Sequence, residues 1–326
     1  MEHARTRPVP PRIAITLGDP RGIGPEITEK VLADPPPGAA YVVVGPEELI
    51  RNLPAEKVSV EEGGKREEGR GKSKTRDTTL PSSRLTLPAI QAGKIVGASI
   101  ERAVALALRR DVDAIVTAPA EKYALHLAGY PYPGHTEWLA ALAGGVDVVM
   151  MLASDRLRVA LVTTHIPLRS VPSALTTDRV VTAGKITAEA LRCWWGIATP
   201  RLAVCGLNPH AGESGMFGSE DRNILAPAAQ ALDCAGPLPA DTVFVRALRG
   251  EFDAVLAPYH DVGMTAIKVA SFGHAVNVTL GLPFVRTSPD HGTAFDIAGK
   301  GIADAGSMRE AVSLAVRLVN KKREES

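Results

Sequence analysis

Three histidines stand just past short apolar runs, and their repetition is the first hint of chemistry. His165 follows Ala160-Leu161-Val162-Thr163-Thr164, His210 follows Leu202–Leu207 and Asn208-Pro209, and His260 follows Ala254-Val255-Leu256-Ala257-Pro258-Tyr259. A buried parallel strand reads as a near-continuous aliphatic run, and the loops at the carboxyl ends of such strands form the ligand crevice of an open α/β sheet. A turn is expected after each histidine. Three neutral imidazoles on one rim would form the first shell of a divalent metal with open positions. The alternative is three unrelated loop histidines.

Other groupings could bind an anion or a cofactor. In Gly134-His135-Thr136-Glu137, an imidazole and a hydroxyl sit at a helix start, where donors and the helix dipole favour negative charge. Thr136 could equally be a simple helix cap. Asn208-Pro209-His210-Ala211-Gly212-Glu213 packs an amide, a rigid turn, an imidazole and a carboxylate together. Lys268, Asn277 and Arg286 lie at the edges of strand-like segments and would suit a phosphate and hydroxyls if they converge. The run His291–Gly301 is too glycine-rich for a packed element, and reads as a ligand-facing loop. Gly18-Asp19-Pro20-Arg21-Gly22-Ile23-Gly24-Pro25-Glu26 follows a strand and precedes a helix. Its two acids argue against a plain phosphate cradle, so a tight structural turn and a ligand loop both stay open.

The elements that must position these groups alternate between strand and helix. Strands are expected at Arg12–Leu17, Tyr41–Val44, Ala114–Val116, Val146–Ala153, Val159–Thr164, Leu202–Gly206, Ala254–Ala257 and Ala275–Leu280. The pair on either side of Ser154-Asp155-Arg156 should form a hairpin. Helices are expected at Gln91–Arg109, Trp138–Ala143, Thr177–Trp194, Asn223–Ala235, Ala240–Arg249 and Ser307–Lys321. This is α/β: two α/β/α domains with mainly parallel sheets flanking a cleft. Residues 1–140 with 285–326 would form the first domain, carrying the cofactor loops, and 141–284 the second, carrying metal and dimer contacts. Residues 61–83 are nearly devoid of apolar side chains and read as a flexible insertion.

Composition excludes several classes. The chain has 326 residues, 45% hydrophobic but only 4% aromatic, so its core must come from Ala, Val, Leu and Ile. With 37 basic and 36 acidic residues, net charge +1 offers no reason to invoke nucleic acid or an anionic membrane. Three cysteines without paired spacing argue against a disulfide framework or thiolate zinc. No apolar run approaches a membrane span and the amino terminus lacks a signal-peptide core, so a cytoplasmic protein is expected.

Seven motifs, in one order, carry a resemblance. They are Asp19–Glu26, Pro133–Glu137, Thr163-Thr164-His165, Leu207–Glu213, Gly236–Asp241, Tyr259-His260-Asp261 and Asn277–Pro283. Together they resemble the 4-hydroxythreonine-4-phosphate dehydrogenase family over roughly residues 12 to 310. The Gly-Ile-Gly-Pro-Glu and His291–Gly301 stretches also resemble the wider isocitrate and isopropylmalate dehydrogenase fold. The resemblance implies one divalent metal (zinc, magnesium, cobalt, manganese or similar) on His165, His210 and His260, one of them donated across a homodimer interface. It implies substrate contacts at His135, Thr136, Lys268, Asn277 and Arg286. It also implies an NAD or NADP site at His291, Gly292, Asp296, Gly299 and Gly301. The implied reaction oxidises the secondary alcohol of 4-phosphohydroxy-L-threonine and releases carbon dioxide, giving 3-amino-2-oxopropyl phosphate for vitamin B6 synthesis. Asp241, Asp261 and Lys122 are the candidates for proton transfer.

Departures from the family pattern bear on substrate. Arg21 stands where alanine is common, Ala118 where glycine is common, and Val262 where a glutamine is common. A related branch acts on threonate or erythronate phosphates, which lack the amino group. A non-catalytic metabolite sensor and a metal-dependent hydrolase are the readings from other classes; the His291–Gly301 loop argues against both.

Overall fold

The computed structural model describes residues 9–60, 84–132, 134–271 and 274–324. The expected insertion at 61–83 and Pro133 lie outside the described residues. Among the described residues, eleven strands form one sheet: β1 (Arg12–Thr16), β2 (Ala40–Gly45), β3 (Glu56–Ser59), β4 (Ala114–Thr117), β5 (Val149–Ala153), β6 (Arg158–Leu161), β7 (Leu202–Cys205), β8 (Ala235–Leu238), β9 (Ala254–Ala257), β10 (Val276–Leu280) and β11 (Val285–Pro289). Their order is β3-β2-β1-β4-β11-β10-β5-β6-β9-β7-β8. Pairing is antiparallel at β11–β10, β10–β5 and β5–β6, and parallel at the other described pairs. The expected hairpin around Ser154–Arg156 is the β5–β6 pair. The strands drawn from 1–140 with 285–326 fill one side of the sheet, and those from 141–284 fill the other. The β10–β11 pairing joins the two blocks.

β4 and β9 are short runs of Ala, Val, Ile and Leu with Thr117 as the one polar member, and every residue in them is buried. Helices Gly24–Ala33, Thr177–Trp195 and Gly306–Glu324 supply much of one face. There Ile27, Val180 and Val312 join Ile15, Val116, Met151 and Val278 in a core that runs from β2 to β7. The other face carries two separate clusters. One gathers Val96, Ile100 and Val104 of helix Ala89–Leu108 over Val42 and Ile115; the other gathers Phe244 and Ile267 over Leu152, Leu161 and Val255. The gap between those clusters is where a cleft can open.

Several elements differ from the sequence reading. His260 begins a helix, His260–Ser271, where a turn was expected, and the short helix Lys122–Leu127 was not expected. β3, β8 and β11 were not expected as strands. β3 and β8 are the outer strands of the sheet, where β3 exposes Glu56 and Lys57 and β8 accommodates Gly236-Pro237. Proline is tolerated at such an edge because no ladder donor is required on the open side. β11, by contrast, is polar in type and wholly buried. The helix expected at Asn223–Ala235 is a π turn, Asp221–Leu225, followed by Ala226–Ala231.

Candidate active site

A cavity of about 330 Å³ occupies the gap on the two-cluster face. Its walls come from separate places in the chain. The β4 loop supplies Thr117–Ala120 and Lys122, the next helix start supplies Gly134–Glu137, β5 supplies Met150 and Leu152, and β10 and β11 supply Asn277, Arg286 and Ser288. His165, Met264 and the Asp290-His291-Gly292 corner complete it. Helix His135–Leu142 begins at Gly134, and no side chain caps it, so Thr136 is not used as a cap.

Arg286 dominates the floor. Only 2% of it is exposed, on a central strand. It donates from Nη1 to Thr279 Oγ1 at 3.0 Å and from Nη2 to Thr117 Oγ1 at 2.6 Å. Burial pulls its pKa down to about 10, opposed by the Glu137 carboxylate, so it stays charged at neutral pH. Burial, followed by the charges of Arg286 and Lys122, pushes His135 down to about 3. Its imidazole is therefore neutral near pH 7. Two cations and a neutral imidazole offer donors to an anion, beside the Glu137 and Asp290 carboxylates of the same cavity.

The cavity also collects unsatisfied polar atoms. His135 Nε2, Glu137 Oε2, Asn277 Oδ1, Arg286 Nε, Asp290 Oδ2 and His291 Nε2 are all buried without a hydrogen-bond partner. A native fold leaves few such atoms, and each carries a desolvation cost of about 1–3 kcal/mol. Six on one cavity wall, of which only Asp290 Oδ2 is in an ion pair, to Lys268 at 3.4 Å, mark a place where a polar ligand belongs.

The expected metal ligands are only partly assembled. The His165 and His260 ring centroids lie 5.6 Å apart, across the ends of the paired strands β6 and β9. Burial, then the Lys122 charge, lowers the His165 pKa, which favours the neutral imidazole a metal requires. His260 Nδ1 lies 2.7 Å from Asp261 Oδ1. That contact orients the ring and leaves Nε2 for a ligand. A smaller cavity of about 120 Å³, lined by His165, His260, Asp261 and Tyr259, adjoins the first. His210 is exposed, at the end of β7, which β9 separates from β6. Among the described residues, no three His, Cys, Asp or Glu side chains converge as a metal site within one chain. The expected convergence of all three imidazoles on one rim is thus met by two of them.

The His210 loop is unusual in itself. His210, Ala211, Gly212, Glu213 and Ser214 all have positive φ. Left-handed backbone costs about 1–2 kcal/mol per non-glycine residue, so surrounding bonds must impose it. Asp221, which is buried, accepts from Leu207 N–H at 2.8 Å, Asn208 N–H at 3.1 Å and Asn208 Nδ2 at 2.8 Å. Neither Asp221 nor Glu137 was singled out by sequence. Glu137 stood inside a quoted motif, whereas Asp221 gives no local signal.

The first glycine loop turns out to be a brace. Gly22 approaches Thr293 so closely that a Cβ would meet its carbonyl oxygen at 2.8 Å, and Ile23 N–H donates to that same carbonyl at 2.9 Å. Glu26 accepts from Ala303 N–H at 2.8 Å and from Gly301 N–H at 3.3 Å. Lys30 donates to the carbonyls of Gly301 and Ala303 at 2.9 and 2.7 Å. Asp19 and Glu26 thus serve structure, and the charge of Arg21 is held by Asp19 and Glu121. Val262 packs into the cluster around Leu161 and Ile267.

Of the expected site residues, the main cavity gathers Lys122, His135, Thr136, His165, Asn277, Arg286, His291 and Gly292. Lys268 stands at its edge, 3.4 Å from Asp290 Oδ2. His260 and Asp261 line the adjoining cavity. Asp296, Gly299 and Gly301 are exposed along the braced loop, and Asp241 is exposed in the first turn of helix Ala240–Leu248; none of these four lines either cavity.

Residues 38–315 match the model of the family described as pyridoxal phosphate biosynthetic protein PdxA. A 4-hydroxythreonine-4-phosphate dehydrogenase of Beijerinckia indica is 44% identical over 320 residues, covering 94% of each chain. A D-threonate 4-phosphate dehydrogenase of Salmonella typhimurium is also 44% identical, over 94% of this chain and 98% of its own. Among solved structures, the 4-hydroxythreonine-4-phosphate dehydrogenase of Klebsiella pneumoniae superposes with a TM-score of 0.81 at 38% identity, covering 96% of this chain and 99% of that one. A terephthalate 1,2-cis-dihydrodioldehydrogenase of Burkholderia xenovorans gives 0.66 at 29% identity, covering 94% and 97%.

Proposed function

Because this chain belongs to the pyridoxal phosphate biosynthetic protein PdxA family, we propose that it is the oxidoreductase that converts 4-phosphohydroxy-L-threonine to 3-amino-2-oxopropyl phosphate and carbon dioxide. The observation that carries the reading is the charged, buried Arg286, facing a cavity lined with unsatisfied polar atoms. It supports a phosphorylated small polar substrate.

Arg286, His135, Thr136 and Asn277 receive the phosphate and hydroxyl oxygens, with Lys268 at the edge. Binding energy gathered there positions the reacting carbon without touching it. Lys122 is the proton-transfer residue of choice, because it alone of the three candidates stands in the main cavity wall. Asp261 is occupied in orienting His260, and Asp241 lies outside the cavity of a single chain.

His165 and His260 fit a divalent metal by donor type, burial favours the neutral form of His165, and His210 of a second copy completes the set in a homodimer. Bound there, the metal would lower the hydroxyl's pKa and polarise the carbonyl for loss of the carboxylate. The loop His291–Gly301 fits NAD or NADP: His291 Nε2 has no partner, Phe295 is exposed, and Glu26 and Lys30 fix the backbone. The dinucleotide supplies the hydride acceptor, which the protein need only orient. We further propose a domain boundary at the β10–β11 join.

A second reading keeps the mechanism and takes a threonate or erythronate phosphate, because a relative of that name matches at 44% identity. The test is NAD(P)H formation by metal-loaded protein on 4-phosphohydroxy-L-threonine, D-threonate 4-phosphate and D-erythronate 4-phosphate at equal concentration. Preference for the amino substrate supports the first reading. Turnover of the sugar acids alone transfers the enzyme to the second, and no reduction with any of the three rejects both.

A further inference from the structure

Arg21 stands where three segments meet. Its Nε donates to Asp19 Oδ1 at 3.0 Å, and its Nη2 donates to Asp19 Oδ2 at 2.8 Å and Glu121 Oε2 at 2.6 Å. Asp19 is fully buried, and its own N–H is held by the Pro119 carbonyl at 2.9 Å. Glu121 immediately precedes Lys122 of the cavity wall. On the remaining side, the Arg21 guanidinium lies 5.2 Å from the centre of the Phe295 ring, within the His291–Gly301 loop.

The arrangement decides what Arg21 can do. Its charge faces two carboxylates and its side chain is only 14% exposed, so it is not a free cation awaiting a ligand phosphate. It is a planar, rigid fork that fixes geometry on every side it touches. Phe295 stays 42% exposed while in contact with Arg21. That leaves aromatic surface for a flat ring to stack upon. The other braces to this loop, from Ile23, Glu26 and Lys30, grip backbone at Thr293, Gly301 and Ala303. The Arg21 contact differs in gripping a side chain of the loop and the Lys122 segment together.

We propose that Arg21 is a positioning residue for the dinucleotide, setting Phe295 and the Lys122 segment in register so that cofactor and catalytic lysine meet across one cleft. The inference rests on the functional reading above. Loss of the brace makes the cofactor do the work of ordering the loop on binding, and that cost appears as weaker affinity.

The test is calorimetric binding of NAD and NADP to the full-length protein and to Arg21→Lys, Glu121→Gln and Phe295→Leu, with inorganic phosphate as a second probe. Arg21→Lys keeps the charge that buried Asp19 needs but loses the fork. It should weaken dinucleotide binding about tenfold, about 1.4 kcal/mol, with phosphate affinity unchanged within about twofold. Phe295→Leu leaves the ion pairs intact and should show the same selective loss, which covers the case in which an Arg21 variant does not fold. The effects of Arg21→Lys and Glu121→Gln should be less than additive in the double variant. Unchanged dinucleotide affinity in Phe295→Leu or a folded Arg21→Lys overturns the proposal and leaves the functional reading standing, as does equal weakening of both probes. Failure of the unaltered protein to bind either dinucleotide overturns both.

Discussion

Replacing Arg286 by methionine should separate stability from binding. Arg286 is 2% exposed, and no carboxylate lies within ion-pair distance of its guanidinium among the described residues. Burial lowers its pKa to about 10, which corresponds to about 3 kcal/mol held against the charged form. Methionine of similar length removes that cost. It also removes the bonds to Thr117 and Thr279, worth about 1 kcal/mol each. The two effects nearly cancel, so urea denaturation should place the variant within about 1 kcal/mol of the parent. Binding should behave otherwise. A desolvated, charge-assisted contact to phosphate is worth about 2–5 kcal/mol, so affinity for 4-phosphohydroxy-L-threonine by calorimetry should fall at least about thirtyfold. A variant destabilised by more than about 3 kcal/mol that still binds the substrate normally would refute the reasoning, because Arg286 would then be a structural cation.

Two further outcomes follow from other groups. The folded state holds the His135 pKa at about 3 against 6.5 for a free imidazole, so between those values the unfolded chain carries the extra proton. Stability from this group is complete above about pH 6.5 and declines by about 1.4 kcal/mol per unit as pH falls toward 3; His135→Asn should flatten the measured slope by that amount, and an identical slope would count against a neutral His135. Asp221→Ala should release the bonds that hold the left-handed His210 loop, costing about 2–4 kcal/mol in denaturation and weakening metal uptake in a titration; unaltered metal affinity would show that the loop's conformation does not serve the metal.

Much of the scaffold was legible because aliphatic strands carry their own signal. Ala254–Ala257 was expected and found with the same bounds, and the β5–β6 hairpin follows from two apolar runs around Ser154–Arg156. β11 escaped notice for a physical reason: Arg286, Thr287 and Ser288 are buried polar residues serving a cavity and a helix carbonyl, so burial and hydropathy disagree there. Strand grammar placed all three histidines at strand ends, but strand order decided which are neighbours. β6 pairs with β9, so His165 meets His260; β7 also pairs with β9, but His210 lies beyond its end in the left-handed loop and is exposed. Residue type and position had grouped His135 with Thr136 and Lys268 with Asn277 and Arg286, the resemblance joined them as substrate contacts, and the cavity gathers all of them except Lys268, which stands at its edge. The bracing roles of Asp19, Arg21 and Glu26 depend on partners that include residues about a hundred or more positions away, beyond the reach of local pattern.

The central claim is metal-assisted oxidation coupled to decarboxylation in this cavity. The most direct test follows NAD(P)H and carbon dioxide together during turnover of 4-phosphohydroxy-L-threonine, before and after chelation and after a divalent cation is returned. The account predicts equal amounts of reduced dinucleotide and carbon dioxide, both abolished by chelation and both restored by metal. Reduction without carbon dioxide, or turnover indifferent to chelation, would contradict it.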